Sequence, residues 1–84
     1  MNPDDVFQHL QEILNLADSV IISKCIEVLW AKKNGDDTSV SGYLKIGDMT
    51  VKFFAQWLDE ELHVWIEDDY YHFTREEVEK VIKG

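Results

Sequence analysis

The chain has 84 residues with 45% hydrophobic content, enough for one domain (residues 1–84) with a single core and too apolar for a disordered segment. Seventeen Asp and Glu face eight Lys and Arg, and the net charge of -9 opposes direct contact with nucleic acid or an anionic membrane while favouring a basic partner. Cys25 is the one cysteine, which excludes an internal disulfide and a cysteine-built zinc site and suits a reducing, cytoplasmic setting.

The N-terminal segment lacks the basic and apolar regions of a secretory signal, and reads instead as a helix. Asn2 suits the N-cap and Pro3 the first helical position, while Asp4 and Asp5 complement the positive end of the dipole. Val6, Phe7, Leu10, Ile13, Leu14 and Ala17 then recur at helical spacing, predicting one amphipathic helix that ends near Asp18. No segment approaches the roughly 20 apolar residues that span a bilayer.

From Val20 the texture becomes β-branched, although Ile22, Cys25, Ile26 and Leu29 also fit a helical stripe. Three turns mark off four strands. A turn at Asn34-Gly35-Asp36 pairs Trp30 with Val40 and Ile26 with Leu44. A turn at Gly47-Asp48 pairs Leu44 with Val51 and Gly42 with Phe53. A turn at Asp59-Glu60 pairs Trp57 with Leu62, Ala55 with Val64 and Phe53 with Ile66. All three registers place one apolar set on one face: Ile26, Val28, Trp30, Val40, Leu44, Ile46, Val51, Phe53, Ala55, Trp57, Leu62, Val64 and Ile66. Thr74-Arg75-Glu76-Glu77 carries a capping-box pattern, and Val78, Val81 and Ile82 form the stripe of a closing helix. The expected fold is α+β, a four-stranded antiparallel β-meander flanked by an N-terminal and a C-terminal helix (α-β-β-β-β-α).

The same registers set Phe54 across from Trp65, Tyr43 and Glu67 across from Lys52, and Gln56 across from His63 on the opposite face. An aromatic group in mid-sheet is either a cross-strand packing contact or the centre of a binding surface. The run Glu67-Asp68-Asp69-Tyr70-Tyr71 then mixes steering carboxylates with aromatic contact area. Between Asp59 and Glu79 nine acids face only Arg75. Carboxylates two apart on a strand lie about 6.6–6.8 Å apart, a spacing able to imitate a phosphate backbone. Candidate partner-binding residues are therefore Asp59, Glu60, Glu61, Glu67, Asp68, Asp69, Trp65, Tyr70, Tyr71 and Glu76. The plain alternative is that these acids only keep the protein soluble.

Other chemistry finds little support. The acidic runs lack the alternating spacing and glycine of a calcium loop, and His63 and His72 lie too far apart for a helical metal pair. Cys25, expected opposite Lys45, sits two strands from His63, too far for a nucleophile and its base. The scattered glycines make no phosphate loop. No metal, cofactor or enzymatic activity is expected. In charge and architecture, though in no motif, the chain resembles small inhibitor and immunity proteins, including phage counter-defence proteins and toxin antidotes. The expected function is inhibition of a basic, nucleic-acid-handling partner through nucleic-acid mimicry. The alternative is a homodimeric adaptor joined through Tyr43, Phe54 and Trp65.

Overall fold

Alternating apolar residues between tight turns produce a sheet of sequential antiparallel strands. The structure, a computed structural model, describes residues 2–17 and 26–84. Two short helices, α1 (Pro3–Gln8) and α2 (Leu10–Leu14), precede β1 (Ile26–Lys33), β2 (Ser39–Ile46), β3 (Met49–Leu58), β4 (Glu61–Ile66) and β5 (Asp69–Phe73). Helix α3 (Arg75–Lys83) closes the described chain. The strands lie in the order β1-β2-β3-β4-β5, an antiparallel meander with β1 and β5 at its edges. The architecture is α+β as expected, with five strands rather than four. The additional strand is Asp69–Phe73, set off by a turn at Glu67-Asp68. That turn escapes a sequence reading because Glu67 occupies it at φ 55° in place of a glycine, and the short strand beyond it sets only two apolar residues, Tyr71 and Phe73, inward.

The expected pairings of β2 with β3 and of β3 with β4 are observed, including Gly42 with Phe53 and Ala55 with Val64. The pairing of β1 differs. Val28 lies opposite Leu44 and Ile26 opposite Ile46, while Trp30 faces Tyr43 rather than Val40. Two features cause the shift. The connection runs from Asn34 to Thr38, where the Asp36 carboxylate accepts hydrogen bonds from the backbone N–H of Thr38 and Ser39 and from the Ser39 hydroxyl. The positive φ of that connection falls on Asp37, at 61°. A bulge between Val28 and Trp30 then moves Trp30 to the other face. The Val28 N–H donates to Gln11 Oε1 at 3.1 Å, which supplies a partner at the bulge.

The remaining inward set is buried or packed against the core, where it meets Val6, Leu10, Ile13, Leu14, Phe73 and Val78. The helices thus cover the inner face of the sheet. Helices this short are marginal alone, because nucleation requires roughly 12–15 residues of helix to repay, so burial against the sheet holds them. The expected single N-terminal helix is divided at His9, whose φ and ψ of -108° and 18° leave the helical region. Asn2 caps α1 through a bond accepted from the Asp4 N–H. The expected capping box at Thr74 and Glu77 is present at the start of α3. The expectations for residues 18–25, including the placement of Cys25, lie outside the described residues. Among the described residues no helix is long and apolar enough to cross a membrane.

Candidate functional site: the open face of the sheet

Strand alternation sends every second residue to the face that the helices leave bare. Trp30, Tyr43, Phe54, Trp65 and Tyr70 all project there, one from each strand. Trp30 is 53% exposed and Tyr70 51%, unusually high for aromatic side chains of this size. Trp30 and Tyr43 pair with ring centroids 6.1 Å apart. Phe54 meets Trp65 at 5.7 Å, and Trp65 meets Tyr70 at 5.2 Å. Between these two groups runs an open groove of about 500 Å³, with Lys52 and Glu67 on its walls and Gly42 in its lining.

His63 extends the second aromatic group. Its ring stacks on Trp65 and on Tyr70, and its Nδ1 hydrogen-bonds the Tyr70 hydroxyl at 2.6 Å. On the next strand His72 stands directly opposite His63, with ring centroids 5.2 Å apart. Glu61 hydrogen-bonds His72 Nε2 through Oε2.

The charges on this face are ordered. Lys32, Lys45 and Lys52 project from β1 to β3, with Glu27 beside them. Carboxylates gather at the two ends of β4 and β5 in two groups, from which Glu61 and Glu67 reach the open face while Asp69, opposite buried Ile66, lies on the helix side. Glu67, Asp68 and Asp69 lie at the β4–β5 turn, at the same end of the sheet as Asp48. Asp59, Glu60 and Glu61 lie at the opposite end, where they line a depression with Arg75 and Glu76. Arg75 is engaged there by Glu60 and Glu79, each at 2.7 Å. Its hydrogen bond holds the Glu79 carboxyl below the ordinary range. One six-residue strand, about 20 Å at roughly 3.3 Å per residue, separates the two acidic groups.

The predicted site residues are thus partly united. Trp65 and Tyr70 touch, and Tyr43 and Phe54 share their face. Tyr71 does not join them, because it lies opposite Val64, half-buried and packed on the core. Trp30, assigned from the sequence to the core, belongs to the open face. His63 and His72, too far apart in sequence for a helical metal pair, form a cross-strand pair. The signal that could have found them is alternation through the Glu67-Asp68 turn, which aligns the two histidines once a fifth strand is drawn. Comparison with protein-family models, with curated proteins and with solved structures finds no match for this chain.

Proposed function

We propose that this protein is a non-catalytic, cytoplasmic inhibitor that docks on a basic, nucleic-acid-handling protein through the open face of its sheet. The observation that carries the reading is the exposed aromatic surface centred on Trp65 and Tyr70, framed at both ends by carboxylates. Exposed aromatic clusters of this kind anchor interfaces, because large rigid rings contribute contact area at low entropic cost. The acidic groups would steer a cationic partner and occupy the positions its phosphate-binding side chains normally serve. The two groups would engage a cleft from either side rather than as one continuous strand of charges. The test is competition. Duplex DNA should displace the partner captured on immobilised protein, and the captured fraction should fall as salt rises. Retention that neither DNA nor salt alters contradicts the reading.

A second reading has its own observation. Lysines gather toward β1 to β3 and carboxylates toward β4 and β5, so the face is complementary to itself. A two-fold axis parallel to the strands would lay β1 of one copy over β5 of another. A homodimer formed this way would sediment at twice the chain mass and dissociate on Phe54→Glu. Monomers at every concentration would exclude it.

A further inference from the structure

Beside the aromatic groups, β4 and β5 converge three side chains whose chemistry is that of metal ligands. We propose that Glu61, His63 and His72 bind a divalent transition-metal ion of the zinc class. One candidate ligand atom from each of the three lies within 4.8 Å of the others. Zinc holds nitrogen and oxygen ligands at about 2.0–2.2 Å, which places tetrahedral donors about 3.3 Å apart. Side-chain rotation on fixed strands covers the difference.

The backbone supplies the preorganisation. His63 and His72 are direct cross-strand partners, so their rings leave the sheet side by side without any loop to order. Glu61 precedes His63 by two positions and therefore projects from the same face. Its Oε2 already meets His72 Nε2, so one carboxylate oxygen and one imidazole nitrogen point to the same place. The Tyr70 hydroxyl holds His63 Nδ1 and fixes that ring, as outer partners do around metal-bound imidazoles. Each of the three side chains retains access to solvent, so an ion has an entry path and a fourth position stays open.

Ligand type decides the metal class. Two imidazoles with one carboxylate suit Zn²⁺ and its neighbours, whereas Mg²⁺ and Ca²⁺ take all-oxygen shells. The site stands on its own geometry and does not depend on the docking role of the face.

The experiment titrates ZnCl₂ into untagged protein stripped with EDTA, read by calorimetry, with Co²⁺ absorption as the second readout. One Zn²⁺ should bind per chain in the micromolar range, and Mg²⁺ should not compete. H63A and H72A should each weaken binding at least about tenfold. E61Q, which preserves shape and removes charge, should weaken it as well. H9A, altering the histidine outside the cluster, should bind like the parent. Visible Co²⁺ bands should appear in the parent and vanish in H63A. Absence of saturable Zn²⁺ binding below about 1 mM overturns the site. Parent-like binding by H63A, H72A or E61Q overturns it equally.

Discussion

The carbonyl oxygen of Trp30 lies 1.9 Å from the point where a Cβ on Gly42 would stand. The same Cβ would fall 2.9 Å from Ala31 Cα and from Phe53 Cε1. Glycine at this position admits the close approach of β1 to β2 just after the bulge that turns Trp30 onto the open face beside Tyr43. Gly42→Ala should therefore cost about 3 kcal/mol, the upper end for overpacking, because the obstacle is largely backbone. Denaturant unfolding measures the loss, and a weakened near-ultraviolet signal from the Trp30–Tyr43 pair should accompany it.

The turn between β3 and β4 holds strain that a substitution can release. Asp59 and Glu60 both have positive φ, 53° and 61°, the backbone of a type I′ hairpin that favours Asn-Gly. Glu60 has no conformational reason to be there, and its ion pair with Arg75 is exposed and contributes little. Glu60→Gly should raise stability by about 1 kcal/mol. If Glu60 serves partner binding, the same variant should hold its partner less well while melting higher. Thermal unfolding and capture, run on one preparation, separate the two effects.

Asp36 links the β1–β2 connection to pH. Hydrogen bonds from the Thr38 backbone and from Ser39 hold its carboxyl below the ordinary 3.8. A depressed folded pKa contributes stability that is present above the unfolded value and lost as pH falls through the folded one. Asp36→Asn should thus be less stable than the parent at pH 7. The difference should shrink as pH drops below about 4, a window set by the unfolded carboxyl. A difference constant from pH 7 to pH 2.5 in denaturant titrations would contradict the assignment.

The parts of this fold that can be read from sequence are those whose tight turns join strands with long apolar alternation on both sides. Gly47-Asp48 is a two-residue loop with glycine at positive φ, so β2 and β3 follow without ambiguity. Asp59-Glu60 is equally short, and β4 follows in turn. The β1 register is hidden because a carboxylate, Asp36, organises a longer connection and a bulge adds one residue. Neither carries a periodic signal. The fifth strand is hidden because Asp69–Phe73 sets only two apolar residues, Tyr71 and Phe73, on the inner face, too few to carry an apolar alternation, and no glycine marks the Glu67-Asp68 turn. That one turn also conceals the pairing of His63 with His72, and it reverses the chain so that Tyr70, not Tyr71, meets Trp65. The open face itself was legible as an alternating aromatic set. That the described helices leave it bare was not, since either face could have received them.

The most direct test of the docking face is parallel capture from one lysate on immobilised parent protein and on Trp65→Glu. Trp65 is exposed on the outer face, so the variant should fold like the parent, which far-ultraviolet circular dichroism verifies. A basic protein should be retained by the parent, released by salt, and absent from the variant. Equal retention of that protein on both would contradict the assignment of Trp65 to the interface.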